Sequence, residues 1–435
     1  MSPDTPYISF VVTARNDDHG GDLLRRMKIF VGALLEQAKR YDLSAELILV
    51  EWNPPPDKPR LHEALRPWPE AKGPCSVRII EVPAEDHVRF RYSDKLPLFQ
   101  MIAKNVGVRR AKGRFILATN VDLLFSEQLI SFLASEQLLP GLMYRIDRYD
   151  VSNEVPADAS VEDQLKYCSS NVIRINIRNR TLDKDDLRWG RLLLLRLSVK
   201  LARKSLIRLF ANIRNYVAKS LSSYAKALTV FRTYLFSLID YLSLLSRDRR
   251  LSARTAVALA GRGFRALYRV EEHFLVSQAR LLDRTVKLAV DGTTLLARSI
   301  THRLHPPYPR LHTNGCGDFT LMAREHWLAV RGYPELEMFS FNLDSVLCHT
   351  AYNNGVKERI LPDPMRIYHI EHKSGWTPRS DLDMKERLKV LGIPMLDLLQ
   401  FESLATRMYR EKRSLIFNHE DWGLRSQTLS EESKA

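Results

Sequence analysis

Apolar segments of strand length alternate with amphipathic segments of helix length between residues 7 and 150, and this alternation constrains the fold more than any other feature. The segment 7–13 (YISFVVT) is short, apolar and rich in β-branched residues, which is typical of a buried strand. Similar runs follow at 45–52, 77–82 and 114–119. Repeated β-α units of this size predict an α/β fold, with a mixed, mostly parallel sheet flanked by helices.

The segment after the first strand shows the helical spacing most clearly. Its apolar residues recur every three or four positions, which places them on one face of a helix. We expect the charged residues between them to face solvent. The apolar residues are Leu23, Met27, Phe30, Leu34 and Ala38, and the charged ones are Arg25, Arg26 and Lys28.

The positive charge of the chain is concentrated in one segment. Of a formal net charge of +15, residues 180–310 contribute a surplus of 17, from 26 Lys and Arg against 9 Asp and Glu. No proline occurs between Ala157 and His305, and Leu, Ile, Phe and Tyr accompany the basic residues. We predict a large basic insertion, entirely helical, with amphipathic helices at 187–303.

Basic amphipathic helices of this kind suit the anionic surface of a membrane. A solvated basic face on a helical bundle is the alternative. The segment contains no recognisable nucleic-acid-binding module, so nucleic acid is not an expected partner. The predicted organisation is residues 1–180 and 306–402 as two halves of one α/β domain, 181–305 as the insertion, and 403–435 as a peripheral C-terminal tail.

Cysteine usage and hydropathy indicate the compartment. Cys75, Cys168, Cys316 and Cys348 are far apart and form no C-x-x-C pair, which argues against a zinc ribbon or a disulfide framework and favours a reducing environment. The N-terminal residues show no secretory signal, and no window of about 20 residues lacks charge. We expect a cytoplasmic protein, peripheral on the inner face of the membrane if the basic helices bind lipid.

A carboxylate directly follows the apolar strand 114–119. Asn120 and Asp122 lie at its carboxyl end, where ligands of open α/β sheets bind and where an oxygen ligand can hold Mn²⁺ or Mg²⁺. The alternative is that Asp122 closes a turn or caps the helix that begins near Ser126.

The segment KNVGVRRAKGRFILATNVDLLF resembles a stretch of family-2 and related glycosyltransferases with the GT-A fold, which bind nucleotide-diphosphosugars. In that family a D-x-D motif follows the strand, and its final Asp binds the metal that bridges the donor diphosphate. Asn120 replaces the first Asp, so its contact is expected to be a neutral hydrogen bond. The matching residues are Asn105, Gly107, Ala111, Gly113 and Asp122.

The segment ISFVVTARND resembles the first strand and nucleotide-binding loop of the same family. The resemblance places Thr13, Arg15, Asn16 and Asp17 where the base and ribose of the donor bind. It also assigns Asn105 and Asn120 to the nucleotide-sugar.

A second resemblance covers TNGCGDFTLMAREHWLAVRGYPELEMFSFNLDSVL, which is similar to the acceptor side of galactosyltransferase-like GT-A enzymes. It implies that Asp344 is the general base for the acceptor hydroxyl in an inverting reaction. Asp318 and Trp327 are then expected to bind the acceptor. The alternative for Asp344 is an N-cap of the helix predicted at 344–352.

The segment ERILPDPMRIYHIEH has alternating Ile and Tyr positions that predict one strand late in the chain, and its last residues include His369, Glu371 and His372. The resemblance implies a metal ligand here. On a regular strand His369 and His372 point to opposite faces, so we expect only one of them to reach the metal unless a bulge intervenes. A zinc site and a purely structural histidine are the alternatives.

These resemblances imply an enzyme that transfers a sugar from a nucleotide-diphosphosugar to a hydroxyl of a glycan or a lipid-linked acceptor, with Mn²⁺ or Mg²⁺ held by Asp122, His369 and His372. A nucleotidyltransferase ranks lower, because the loop after the first strand lacks a glycine-rich basic motif. A non-catalytic membrane- or nucleic-acid-binding protein with a degenerate GT-A domain is the other alternative.

Overall fold

The computed structural model describes residues 5–66, 68, 73–178, 180–183, 233, 307–372 and 378–434. The two long described parts of the chain belong to one compact unit. The predicted basic insertion, 181–305, and its membrane-binding helices, 187–303, lie outside the described residues except for 181–183 and Thr233. Within the described part, no helix has both the length and the apolar character required to cross a bilayer.

Strands and helices alternate in the first part of the chain, as the sequence predicts. The strands are β1 (Ile8–Ala14), β2 (Ala45–Trp52), β3 (Cys75–Val82), β4 (Phe115–Thr119), β5 (Leu123–Phe125), β6 (Leu142–Arg145), β7 (Arg148–Val151), β8 (Val172–Ile177), β9 (Arg180–Asp183), β10 (Phe319–Ala323), β11 (Lys357–Ile360), β12 (Ile367–Ile370) and β13 (Ser430–Lys434). The helices are α1 (Leu23–Arg40), α2 (Leu61–Ala64), α3 (Ala84–His87), α4 (Gln100–Arg110), α5 (Glu127–Ala134), α6 (Val161–Ser170), α7 (Arg324–Ala329), α8 (Leu343–Asn353), α9 (Pro378–Leu391) and α10 (Leu398–Glu411).

The larger sheet has the strand order β11-β6-β10-β4-β1-β2-β3-β13. The pairs β11–β6, β4–β1, β1–β2 and β2–β3 run parallel, whereas β6–β10, β10–β4 and β3–β13 run antiparallel. The prediction of an α/β fold with a mixed sheet flanked by helices is therefore confirmed.

A second sheet, with the order β5-β12-β7-β8-β9, was not expected from the sequence. The predicted single strand before His372 is two strands, β11 in the larger sheet and β12 in the second one. Pro362 and Pro364 lie between them, and a proline has no N–H to donate to a strand ladder.

Helices cover both faces of the larger sheet. Phe10 and Val12 belong to the core cluster that includes residues of α1, whereas Val11 belongs to the cluster that includes residues of α4. Gly107 lets α4 approach the sheet closely, since a Cβ at this position would lie 2.5 Å from Cγ1 of Val11. The alternation along β1 thus fixes which helix covers which face.

The segment 403–435 is part of the fold and not a peripheral tail, so that prediction is corrected. Residue 403 lies inside α10, whose Phe401, Ala405 and Met408 are buried. Trp422 is also buried, and β13 pairs with β3 at the edge of the larger sheet. The buried apolar residues of this segment are few and are separated by charged residues. Its composition alone therefore suggested a solvated tail.

Burial of Glu51 makes the stability of the fold depend on pH. Glu51 is the last residue but one of β2 and is 1% exposed, and both of its carboxylate oxygens accept a hydrogen bond from the Leu61 N–H, at 3.1 and 2.9 Å. Burial raises the pKa of Glu51 from 4.5 to about 7, although the Leu61 N–H opposes the rise. The folded protein therefore holds this proton where the unfolded chain releases it.

We predict that Glu51→Gln reduces the loss of stability between pH 4.5 and 7. In the wild type the protonated Glu51 stabilises the fold fully below pH 4.5. This stabilisation, about 3 kcal/mol of the free energy of unfolding, is lost as the pH rises through about 7. The glutamine keeps an acceptor for Leu61 and does not ionise. Urea unfolding across this pH range measures the effect. The exposed Glu63→Gln is the matched control, and an equal pH dependence in all three proteins would contradict the prediction.

Candidate functional site

The candidate site lies at the carboxyl ends of β1 and β4. The connection after β1 leads to β2 on one side, whereas β4 lies on the other side of β1, so the strand order reverses between these two neighbours. Open α/β sheets bind ligands in the crevice outside such a reversal. Residues 15–17 follow β1 and residues 120–122 follow β4, so the topology brings these two segments to one edge of the sheet.

Asp122 meets both histidines of the late segment. Its Oδ2 lies 3.8 Å from Nε2 of His369 and 3.4 Å from Nε2 of His372. The three ligand atoms of this cluster lie within 4.8 Å of one another. Asp122 is 7% exposed, and its Oδ1 accepts no hydrogen bond from the described residues. A buried carboxylate oxygen facing two imidazoles is a fitting donor set for a metal ion.

Strand alternation would turn His369 and His372 to opposite faces, but both side chains lie near Asp122. β12 ends at Ile370, so His372 lies beyond the strand and does not follow its alternation. The rings of His369 and His372 have centroids 5.3 Å apart. Both imidazoles therefore face the same carboxylate.

Asp150, on β7, lies next to the His369 nitrogen that faces away from Asp122. Its Oδ1 lies 3.3 Å from Nδ1 of His369, so the two nitrogens of this ring face two different carboxylates. Asp150 is fully buried, and its Oδ2 accepts hydrogen bonds from Nε of Arg174 (2.6 Å) and Nδ2 of Asn176 (2.9 Å). A carboxylate behind a ligating histidine fixes its orientation and raises its basicity.

Glu371 lies close to Asp150, Arg174 and His369. It forms an ion pair of 2.7 Å with Arg174, and it joins Asp150 and His369 in a second cluster of potential ligands. Because the oxygens of Asp150 are paired with Arg148 and Arg174, this second cluster is better described as support for His369 than as a separate metal site.

The charges of the cluster shift its pKa values in opposite directions. Burial alone would raise the pKa of Asp122, but His369, His372 and Arg26 outweigh it and hold the pKa well below its ordinary range. Burial alone would lower the pKa of His369, but Asp122 and Asp150 outweigh it and raise that pKa. The cluster thus stabilises charge on both partners.

Arg26 is buried against Asp122, and the expectation that it faces solvent is wrong. It is 1% exposed, and its Nη1 donates to Oδ2 of Asp122 at 3.1 Å. Its Nη2 donates to the carbonyl oxygens of His19 and Gly21, which holds the loop after β1 over the cluster. The sequence carried a signal that was missed: Arg26 lies three residues after Leu23 and four before Phe30, on the apolar stripe of α1.

The alternative roles for the two key aspartates as helix caps are not what the structure shows. Ser126 caps α5, since its Oγ accepts a hydrogen bond from the Leu129 N–H at 3.3 Å. Asn342 occupies the N-cap position of α8, and Asp344 lies in the first turn. Neither Asp122 nor Asp344 is therefore accounted for by helix capping.

A pocket of about 740 Å³ adjoins the β4 end, and Asn120, Asp318 and Asp344 line it together. The volume suits a small-molecule ligand. Asn120 Nδ2 donates to Oδ1 of Asp318, and Asn120 Oδ1 accepts from Gln100 at 3.3 Å. Arg148 pairs with Oδ2 of Asp318, so each oxygen of this carboxylate has a partner. The structure thus brings three of the predicted site residues to one cavity.

Asp344 has the properties of an acid-base group. Burial raises the pKa of Asp344, although the Cys316 thiol, the Ser345 N–H and Lys104 oppose the rise. A Cβ at Gly317 would lie 3.0 Å from Oδ2 of Asp344, so the glycine leaves room for this carboxylate. A carboxylate with a raised pKa in a pocket is a candidate for proton transfer.

Lys104, which sequence analysis did not single out, lies beneath this pocket. It is fully buried, and its Nζ donates to the carbonyl oxygen of Gly317 at 2.6 Å. Burial lowers the pKa of Lys104 to about 8, although Asp318, Asp344 and Asp122 oppose the change. One buried cation thus interacts with carboxylates of both the pocket and the cluster.

Two predicted site residues belong to the core, and their assignments are corrected. Asn105 is fully buried: its amide donates to Tyr333 O (2.8 Å) and Glu335 Oε1 (2.9 Å) and accepts from Tyr333 N (2.8 Å). Trp327 is also fully buried, with its Nε1 donating to Ile116 O at 3.0 Å. Asn105 is therefore not positioned to bind a nucleotide-sugar, nor Trp327 an acceptor.

The residues after β1 divide into two kinds. Thr13 and Asn16 are buried and donate to the carbonyl oxygens of Val50 (3.1 Å) and Pro59 (2.9 Å), so Thr13 is bound to β2 and Asn16 to the loop before α2. Arg15 and Asp17 are partly exposed and form an ion pair of 3.0 Å at the edge of the crevice. Among these four residues, the pair Arg15–Asp17 has the exposure that contact with a ligand requires.

We predict that Asp122→Ala abolishes binding of a divalent metal ion by the full chain. Removing the only carboxylate of the cluster should weaken binding by at least about 100-fold, because two neutral imidazoles do not offset the charge of the ion. Calorimetric titration with Mn²⁺ and Zn²⁺ measures this affinity. Asp122→Asn keeps the volume, and the exposed Asp158→Ala serves as control. Unchanged affinity in both Asp122 variants would remove the metal assignment.

We predict that Asn105→Ala destabilises the protein by about 2–3 kcal/mol, since it leaves buried groups of Tyr333 and Glu335 without a partner. Urea unfolding measures the change, and the exposed Asn153→Ala is the control. An Asn105→Ala variant that kept full stability and lost affinity for a nucleotide would show instead that Asn105 binds the donor.

Comparison with known proteins adds no relative: no protein-family model matches the chain, and no curated protein matches it. The functional hypothesis therefore depends on the motifs quoted above and on the geometry of this site.

Proposed function

We propose that the protein is a metal-dependent glycosyltransferase, which transfers a sugar from a nucleotide-diphosphosugar to a hydroxyl of a glycan or a lipid-linked acceptor. The observation that carries the proposal is the convergence of Asp122, His369 and His372 at the carboxyl end of β4. The pocket beside this cluster is lined by Asn120, two residues before Asp122, and by the candidate base Asp344. Such a transfer requires a metal position and an acid-base residue at one site.

The metal would be held by the carboxylate of Asp122 and Nε2 of both histidines. Mg²⁺ prefers oxygen ligands, whereas imidazole suits first-row transition ions. Of the two ions expected from the sequence, Mn²⁺ is therefore favoured over Mg²⁺. When bound, such an ion supplies a Lewis acid that offsets the charge of the leaving diphosphate. Asp150 orients His369 for this role.

The donor would occupy the crevice between the ends of β1 and β4. Arg15 is anchored there, since its Nε donates to the carbonyl oxygen of Asn53 at 2.6 Å and its Nη1 pairs with Asp17. This arrangement leaves the second oxygen of Asp17, which accepts from the His19 N–H at 3.2 Å, at the rim of the crevice. These side chains offer hydrogen-bond partners for the base or ribose.

Asp344 would act on the acceptor. As the acceptor hydroxyl oxygen forms its bond to the anomeric carbon, the bond to the diphosphate breaks with its electron pair. The hydroxyl proton passes to Asp344. Attack opposite to the leaving group inverts the anomeric centre. The raised pKa of Asp344 makes it a stronger base than an ordinary aspartate.

The walls of the pocket suit a carbohydrate. Phe339 and Phe341 line one side, and Asn120 and Asp318 present polar groups in the same pocket. Aromatic rings pack on the apolar faces of a sugar, while amides and carboxylates bond to its hydroxyls. The pocket therefore combines both kinds of contact.

A non-catalytic protein is the second candidate, and one observation favours it. Arg26 already pairs with Oδ2 of Asp122 and reduces the negative charge available to a metal ion. Under this hypothesis the charged basic segment, 187–303, would provide the activity by binding an anionic membrane. Association with the membrane is compatible with either candidate.

We predict that the full chain releases nucleoside diphosphate from at least one sugar nucleotide in the presence of Mn²⁺. Asp122→Ala should lower the rate at least about 100-fold with or without an acceptor, whereas Asp344→Asn should lower chiefly the acceptor-dependent rate. A coupled assay over a panel of donors and saccharide acceptors measures both rates, with Asp158→Ala as control.

The products distinguish the alternatives. Release of pyrophosphate instead of nucleoside diphosphate would indicate a nucleotidyltransferase. Vesicle binding without turnover of any donor would favour the non-catalytic protein.

A further inference from the structure

Arginines of the second sheet and of its last hairpin line the pocket. Arg174 lies on β8, Arg180 begins β9, and Arg178 is in the turn between them. All three line the pocket, together with Arg148 of β7. Arginine is the side chain best suited to bind carboxylate or phosphate groups through paired N–H donors.

The four arginines differ in how far their charge is already offset. Arg148 pairs with Asp150 and Asp318, and Arg174 pairs with Asp150 and Glu371. These two guanidinium groups therefore belong to the internal network that supports the site.

The turn of the β8–β9 hairpin carries the remaining positive charge. Arg178 donates from Nε to the Arg310 carbonyl oxygen at 2.7 Å and lies 3.4 Å from Glu358, with 43% of its side chain exposed. Arg180 is exposed, and its guanidinium makes no hydrogen bond or ion pair within the part of the chain that the structure describes. A cation that lines a pocket without an internal partner is available to a ligand.

A series of contacts connects Asp344 with the β8–β9 hairpin. Asp344 lies beside Gly317, and Asp318, the next residue, pairs with Arg148. Asp150 pairs with both Arg148 and Arg174, and Arg174 lies on the hairpin. Asn314 fastens the hairpin turn to the same loop, since its Nδ2 donates to Ile177 O at 3.2 Å and Arg180 O at 3.3 Å. The candidate base and the unpaired arginine thus line one cavity and are connected through the loop that contains Asn314 and Gly317.

We infer that the acceptor is an anionic saccharide, whose carboxylate or phosphate is bound by Arg180 with help from Arg178 while its reacting hydroxyl lies at Asp344. This inference rests on the proposed function for the role of Asp344. The binding preference itself depends only on the pocket. A neutral saccharide would leave the Arg180 guanidinium without a partner, whereas an anionic one gains a charge-assisted pair of hydrogen bonds.

The test compares three monosaccharide probes that differ in one group: glucose, glucuronate and glucose 6-phosphate. Ligand-detected NMR titrations use the full chain at low ionic strength, without metal and without sugar nucleotide. Both charged probes, or one of them, should bind about tenfold more tightly than glucose. The preferred probe identifies carboxylate or phosphate as the source of the charge. The preference should fall as salt is added.

Variants of Arg180 test whether this residue causes the preference for the anionic probes. Arg180→Ala should remove most of it and leave glucose binding unchanged, and Arg180→Lys should retain part of it, because lysine keeps the charge but not the paired donors. The exposed Arg410→Ala, on α10, is the control for net charge. Equal affinity for all three probes in the wild type, or a full preference in Arg180→Ala, would overturn the inference.

The outcomes also separate this inference from the proposed function. If the chain releases nucleoside diphosphate but binds the anionic probes no more tightly than glucose, only the inference about the acceptor is wrong. A preference that depends on Arg180, in a chain that turns over no sugar nucleotide, would support the anion site and sink the transferase.

Discussion

The buried carboxylate of Asp122 determines how this site is assembled. An isolated ionised carboxylate in the interior is costly, so its burial requires charged or hydrogen-bonded partners. Those partners come from distant parts of the chain: Arg26 from α1, and His369 and His372 from β12 and the residues after it. Asp122 therefore joins the first half of the domain to the last, and the same contacts that offset its burial form the candidate metal position.

From Asp122 a chain of alternating charges extends to the pocket. His369 lies between Asp122 and Asp150, and Arg148 lies between Asp150 and Asp318. Each group has its charge offset by the next, so none of these positions can change its charge in isolation. A substitution at Arg148 would leave two buried carboxylates short of a cation, one behind the histidine and one in the pocket. The candidate metal position and the pocket are thus parts of one electrostatic unit.

The sequence predicted the larger sheet well because β1, β2 and β4 are buried along their whole length and consist mostly of apolar residues. The second sheet was missed because its strands are short and carry charged residues such as Arg148 and Arg174, whose burial depends on partners far away in sequence. Arg26 was missed for the same reason: charge predicts exposure until the partner is known.

The motif that suggested a glycosyltransferase contains structural as well as chemical residues. Gly107 allows α4 to approach β1, and Gly113 N donates to Ser9 Oγ at 2.8 Å. Asn105 joins α4 to the segment around Tyr333. These residues were assigned by resemblance as one group, but only the stretch after β4 reaches the crevice. A spacing pattern identifies a fold more readily than it separates packing residues from those that contact a ligand.

Asn120, at the position that the resemblance compares with the first Asp of D-x-D, has a physical role within the pocket. Asn120 donates a hydrogen bond to Asp318, which is 5% exposed and whose other oxygen is taken by Arg148. An aspartate at position 120 could not donate when ionised, and two neighbouring carboxylates would force one of them to take up a proton. The amide avoids this conflict and still leaves an oxygen for Gln100. The amide at position 120 is thus matched to Asp318, so its presence does not by itself argue against the proposed activity.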